Sequence, residues 1–275
     1  MTPAAREAQS ADAGVAVVLI ARDEAARIER CLSSLTWVDE IVVVVDDRTT
    51  DETAAIARRF TGLVFVRPFV DYAAQRQWGQ EQARSAWILW IDCDEVVSPA
   101  LALEVREASL RPGFGAFRVP HLDYMFGRWI RHGGWYPQYH LRLFRRAGAT
   151  WTSPVHEAPR VTGGIGTLRE AVLHFSHARV KDWVNKMAHY TTLEADMLHR
   201  SGARSGVLRL LIEPPAYFGY KYFVQQGWRD GMHGLALALL LGCYRLVRNL
   251  KLWDLQQAER GPRESANCPP STPRS

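Results

Sequence analysis

The feature that most constrains this chain is an alternation running through its first hundred residues. Short, almost wholly apolar runs, Val15 to Ile20, Ile41 to Val45, Leu63 to Val66 and Trp87 to Ile91, are separated by stretches whose apolar residues recur at helical spacing. Such brief apolar runs, rich in β-branched residues, are the signature of strands buried on both faces. The segments between them, Glu24 to Leu35, Asp51 to Phe60 and Tyr72 to Arg84, are expected to be the amphipathic helices that cover those faces. Strand and helix in strict succession predict an α/β domain around a parallel sheet. Polar clusters stand at the end of each run: Arg22-Asp23-Glu24, Asp46-Asp47, Arg67 and Asp92-Cys93-Asp94-Glu95. Ligands of such sheets bind outside the carboxyl ends of the strands, so these clusters are expected to line one crevice.

The fourth run carries the most chemistry. Asp92 and Asp94, one residue apart at a strand end, converge on a hard divalent cation if the backbone turns there. The alternative is a solvated acidic turn. Polar or acidic clusters at successive strand ends favour the cation, because crowded carboxylates repel one another unless a cation or hydrogen-bond donors are present. The runs lead into neither a Gly-x-x-x-x-Gly-Lys loop nor a Gly-x-Gly-x-x-Gly turn, which disfavours P-loop and dinucleotide-binding folds. What remains is a nucleotide whose phosphates are held by metal.

Val17-Val18-Leu19-Ile20-Ala21-Arg22-Asp23-Glu24, Cys31-Leu32-Ser33-Ser34-Leu35 and Asp39-Glu40-Ile41-Val42-Val43-Val44-Val45-Asp46 together resemble the opening of family 2 glycosyltransferases of the GT-A fold. Arg67-Pro68-Phe69, Ala73-Ala74-Gln75-Arg76, the stretch Gly127 to Pro137, Leu141 to Arg146 and Pro154-Val155-His156-Glu157 narrow the likeness to the lipopolysaccharide-core β-glucosyltransferase branch, the WaaE/KdtX-like proteins. The similarity extends from about Val15 to Trp253. It implies a Rossmann-like, mostly parallel sheet with a helical C-terminal extension. It also implies inverting transfer of a sugar from a nucleoside-diphosphate-sugar donor to a hydroxyl of a cell-envelope glycan or glycolipid, assisted by Mg²⁺ or Mn²⁺.

By the same resemblance, Asp23, Glu24, Asp46, Arg76 and Asp92 contact the donor. Asp92 and Asp94 form the Asp-x-Asp pair, with Asp94 the direct metal ligand. Inversion needs a base opposite the leaving group, and Glu157 is the candidate, with Asp123 and Glu95 as rivals. His156 either joins the metal, orients Glu157 or is an ordinary loop histidine. Arg131, His132, Trp135 and Tyr136 combine aromatic faces with cations and suit an acceptor sugar beside an anionic group, or else pack a hairpin into the domain. Arg142 holds acceptor phosphate or lies on a solvated strand edge. His174 and His177 read as structural.

Two departures from the family pattern bear on the donor. Asp47-Arg48-Thr49-Thr50 replaces a glycine-containing turn, so either the turn takes another geometry or Arg48 reaches the donor phosphates. Asp23-Glu24-Ala25 stands where Asn-Glu-Glu is usual. Transfer to a polyprenyl phosphate and non-catalytic binding of a nucleotide sugar are the competing readings.

A formal charge of +5 suits an anionic substrate or membrane surface, and no nucleic-acid-binding motif accompanies it. Four dispersed cysteines, without Cys-x-x-Cys or an apolar leader, are expected of a cytoplasmic protein. The expected division is a disordered leader (1–13), a GT-A domain (14–200), a helical membrane-proximal extension (201–255) and a disordered tail (256–275). From Arg204 to Lys251 seven Lys or Arg and two acidic residues mix with aromatics. The uncharged stretch Gly231 to Tyr244 is too short to span a bilayer. It is expected to lie on the inner face of the cytoplasmic membrane, with Arg245, Arg248 and Lys251 on anionic headgroups, unless it is a buried helix or a dimer contact.

Overall fold

The computed structural model describes residues 14–151 and 159–259. They form two compact units: one ends at Ser176, and the other begins at His177 and includes the short segment His132–Gly134.

The first unit opens with β1 (Val15–Ala21), α1 (Ala25–Ser33), β2 (Glu40–Asp46), α2 (Thr53–Ala57), β3 (Val64–Arg67), α3 (Tyr72–Gln82) and β4 (Trp87–Trp90), the succession its apolar runs predict. There follow β5 (Glu95–Val96), α4 (Pro99–Ser109), β6 (Phe114–Met125), β7 (Arg128–Trp129), β8 (Gln138–Arg145), β9 (Gly164–Thr167) and β10 (Val172–His177). One sheet runs in the order β3-β2-β1-β4-β8-β6-β10-β5, with β7 and β9 against β6. The pairings β3-β2, β2-β1 and β1-β4 are parallel. β8 then joins both β4 and β6 antiparallel, so the sheet is mixed rather than parallel throughout.

Side chains on β1 alternate between two cores. Val15, Val17 and Leu19 pack with Ile28 and Leu32 of α1 and Leu101 and Val105 of α4. Ala16 and Val18 face the opposite way, towards Trp90, Phe144 and Trp151. That two-sided burial is what the uninterrupted apolar runs require. Ser98 caps α4, its hydroxyl accepting from Leu101 N, and Pro99 occupies the first turn, where its missing N–H costs nothing. Asp71 caps α3 in the same way, through Ala74 N at 2.7 Å.

The second unit holds α5 (Val180–Arg200), α6 (Val207–Gly219) and α7 (Gly231–Glu259). α7 lies against both others. Tyr244 donates to Glu194 of α5 at 2.7 Å, while Asn249 donates to Glu213 of α6 at 2.8 Å. Gly242 lets the Pro214 carbonyl close, since a Cβ there would sit 3.2 Å from it.

Three expectations are corrected. The units divide before α5 rather than at residue 200, because α5 packs on α7. The last helix continues past 255 to Glu259, held by the buried Gln256, whose amide donates to Ala203 O. The cations expected at headgroups are committed inside the unit: Arg248 to Glu213 and Glu194, Arg245 to Glu213 at 3.7 Å, and Lys251 to Ala188 O, Thr191 and Thr192. No helix among the described residues is long and apolar enough to cross a membrane.

Candidate active site

The carboxyl ends of β1, β2 and β4 lie side by side, and their polar residues interlock. At the end of β1, Asp23 adopts φ 52° and accepts from Thr50 N at 2.8 Å, tying this turn to the one after β2. Glu24 N donates to Thr53 at the start of α2. At the end of β2, Asp46 accepts both Nε and Nη2 of Arg48, at 3.0 and 2.8 Å. This fork pulls the Asp46 carboxyl down to about 2. Arg22 stands 3.7 Å from the same carboxylate. The glycine-free turn has therefore taken another geometry: Arg48 has no positive φ and folds back on Asp46.

After β4 the chain turns, with Glu95 N donating to Asp92 O and Asp92 N donating to the Glu95 carboxylate. Asp92 accepts from Trp90 Nε1 at 3.2 Å and from Arg142 of β8 at 2.9 Å, and Arg76 stands 3.8 Å away. Burial opposes charge on Asp92, but the guanidinium groups of Arg142 and Arg76 outweigh it and hold the carboxyl below the usual carboxylate range. Arg76 is buried, its guanidinium over the rings of Trp90 and Trp151 at 4.7 and 5.1 Å. Glu95, fully buried, binds Arg142 at 2.7 Å and His121 at 2.9 Å.

Asp94 points elsewhere. Its Oδ2 lies 3.6 Å from Arg27 of α1 and 3.5 Å from His174 Nε2 of β10. His174 Nδ1 in turn bonds Asp123 of β6 at 2.7 Å. Burial disfavours charge on this imidazole, yet its bonds to Asp123 and Asp94 push it up to about 10, so it is a cation at neutral pH.

A carboxylate crevice at the ends of adjacent parallel strands is matched by the sequence: the profile of glycosyl transferase family 2 covers residues 16–157. The chain belongs to that family. Among its relatives, the lipopolysaccharide core biosynthesis glycosyltransferase LpsC of Rhizobium meliloti (strain 1021) is 29% identical over 86% of this chain and 90% of its own length. An uncharacterized glycosyltransferase of Rickettsia bellii (strain RML369-C) is 25% identical, over 94% of this chain and 89% of its own. Similar solved structures include glucosyl-3-phosphoglycerate synthase from Mycobacterium tuberculosis in complex with Mn²⁺, UDP and glucosyl-3-phosphoglycerate, with TM-score 0.45, 16% identity and coverage of 75% and 86% of the two chains. Another is S. aureus TarS 1-349, with TM-score 0.40, 15% identity and coverage of 90% and 92%. The protein is a family 2 glycosyltransferase with an α/β domain built on one mixed sheet.

Within this glycosyltransferase, Asp23, Glu24, Asp46, Arg76, Asp92 and Asp94 do gather at one edge of the sheet. The acceptor set does not gather as expected. Arg142 is tied to Asp92 and Glu95, and His132 belongs to the second unit, where its N and Nδ1 meet Asp230 at 2.7 and 3.2 Å. Arg131 lies over Trp129 at 4.1 Å, Tyr136 meets Trp129 edge-on, and Trp135 is half-buried. His156 and Glu157 lie outside the described residues. Among those described, no three His, Cys, Asp or Glu side chains form a metal-ready group. Both carboxylates of the Asp-x-Asp pair have basic neighbours, Arg142 and Arg76 at Asp92 and Arg27 and His174 at Asp94.

His121 is absent from the sequence-based set. Its signal lies in β6, where His121 and Asp123 fall two apart, and so on one face, in an otherwise largely apolar strand.

Proposed function

We infer that this glycosyltransferase moves a sugar from a nucleoside-diphosphate-sugar to a hydroxyl of a cell-envelope glycan or glycolipid, inverting the anomeric centre and using a divalent metal. The observation that carries the reading is the convergence of Asp23, Glu24, Asp46 and Asp94 at neighbouring strand ends. A nucleotide laid across those ends would meet Asp46 and Asp23 with its nucleoside and Asp94 with its diphosphate. Arg48 must release Asp46 for a sugar hydroxyl to bind there.

One chain carboxylate is enough for the metal, because Mg²⁺ is ordinarily held by one or two carboxylates, substrate phosphates and water. Asp94 fits that role, and a metal held there would offset charge growing on the departing diphosphate. The chain's own cations act in the same direction. His174 and Arg27 flank Asp94, and the buried Arg76 stands beside Asp92 at the strand end that carries it. Glu157 is the proposed base, removing the acceptor proton on the face opposite the leaving group.

The LpsC relative supports a lipopolysaccharide-core type of acceptor, and a glycolipid acceptor places the enzyme against the cytoplasmic membrane. The outer face of α6 suits that contact: Val207, Leu208, Leu211 and Ile212 are 53–73% exposed and form a broad apolar surface. The function is tested by calorimetric titration of nucleoside-diphosphate sugars, with and without Mn²⁺, into wild type and Asp94→Ala. Metal-dependent binding lost in the variant is expected. Binding that ignores both the metal and the substitution overturns the metal role. Flotation with anionic vesicles tests the membrane contact, and protein left wholly at the bottom overturns it.

A further inference from the structure

α7 presents a second, different apolar surface. Met232, Leu239, Leu246 and Trp253 recur every seven residues, and Ala236, Cys243 and Leu250 fall between them at alternating steps of four and three. This is a strict 3.5-residue repeat over three heptads. It stays outside. The five large side chains are 37–74% exposed, and Cys243 is exposed too. The rest of the helix is occupied: Tyr244 and Lys251 contact α5, while Gly242, Asn249 and Gln256 face α6 and the turn before it. A narrow seam of this kind matches a partner helix, whereas the wider face of α6 suits a lipid surface.

We propose that this seam joins two copies of the chain, α7 against α7 in antiparallel order about a two-fold axis near Tyr244. The axis makes the surface self-complementary. It sets Ala236 against the partner's Trp253, Cys243 against the partner's Leu246 and Leu239 against the partner's Leu250. In two of these three layers a small side chain meets a large one, so the layers fill. A parallel pair would instead oppose Trp253 to the partner's Trp253 and Ala236 to the partner's Ala236.

Charge presents no obstacle. No Asp, Glu, Lys or Arg occurs from Gly231 to Tyr244, and the three cations that follow have partners inside their own unit. The helix is already ordered by α5 and α6, so pairing does not have to pay for helix formation, which makes short isolated coiled coils marginal. The seam runs ~32 Å. Two such seams bury on the order of 1,000 Å², where specific interfaces begin.

Native Cys243 reports on the pairing, since Cys31 and Cys93 are buried and Cys268 is removed by Cys268→Ser. In that full-length chain, a short bis-maleimide is expected to link two copies through Cys243, and sedimentation without lipid is expected to give twice the 31.1 kDa chain mass. Leu239→Glu with Leu246→Glu, both at exposed positions, is expected to give a monomer that no longer links and keeps its circular dichroism. A monomer in the wild type at micromolar concentration, with no linked product, overturns the proposal. If anionic vesicles alone then shield Cys243 from maleimide, the seam is a membrane contact instead. The register has its own test, in a background carrying Cys243→Ala and Cys268→Ser. Ala236→Cys is expected to link only to the partner's Trp253→Cys, and Ala236→Cys linking to itself overturns the antiparallel order.

Discussion

Arg142 on β8 donates to Asp92 at 2.9 Å and to Glu95 at 2.7 Å, so one guanidinium from an antiparallel strand holds the carboxylates that end a parallel one. Without it, the buried Glu95 carboxyl keeps only His121 and the Asp92 N–H. Breaking a buried ion pair from one side typically costs ~3–5 kcal/mol. Arg142→Met is therefore expected to lower stability by about that much in urea unfolding, and Arg142→Lys, which keeps the charge but not the fork, to recover only part. Unchanged stability in Arg142→Met would show the cluster is solvated.

The second unit has its own ion cluster, with a pH signature. Burial opposes charge on Glu213, but bonds from Asn249, Arg209 and Arg248 lower its carboxyl to about 2, against 4.5 when unfolded. A depressed carboxyl contributes its full stability above the unfolded value and loses it as pH falls towards the folded one. Glu213→Gln is expected to be destabilised relative to wild type at pH 7, with the gap constant down to about pH 5 and narrowing steadily below 4.5. Urea midpoints across that range measure it, and a gap that widens in acid would reverse the assignment.

The parallel half of the fold was legible because burial on both faces leaves β1, β4 and, after Glu40, β2 without a polar residue until the crevice is reached. The antiparallel half was not. β8 carries Gln138, His140, Arg142 and Arg145, and its cations join buried clusters instead of facing water, so its pattern gave no clear period. The gathering of charge at strand ends was legible, as at Asp23, Asp46 and Asp94. The site was illegible where side chains pair across distant strands: nothing local in the sequence ties Arg142 to Asp92 or His174 to Asp123. Arg245, Arg248 and Lys251 misled for the same reason, since composition records charges but not the Glu213 and Glu194 that meet them.

Gly79 on α3 sits where a Cβ would lie 2.7 Å from Val18 Cγ1 and 3.0 Å from Val44 Cγ2. Both methyl groups belong to the packed face of the sheet and have little room to retreat. Overpacking of this kind costs ~1–3 kcal/mol, while the better helix propensity of alanine returns ~1 kcal/mol. Gly79→Ala is expected to lower stability by up to ~2 kcal/mol net, and Val18→Ala in the same chain to cost less than the two changes summed. Strict additivity in a double-mutant cycle would show that α3 simply shifts.

Glu157 and Asp94 have different proposed tasks, and kinetics separates them. A base acts on the acceptor proton and makes no ground-state contact with the donor. Glu157→Gln, similar in size but unable to accept the proton, is expected to lower kcat by ~10²- to 10⁴-fold while the donor dissociation constant stays within about twofold. Asp94→Asn is expected to weaken metal-dependent donor binding and to lower kcat as well. If Glu157→Gln instead keeps its kcat with the same donor, Glu157 is not the base: either Asp123 or Glu95 takes the proton, or the nucleophile is already anionic, as a phosphate acceptor would be.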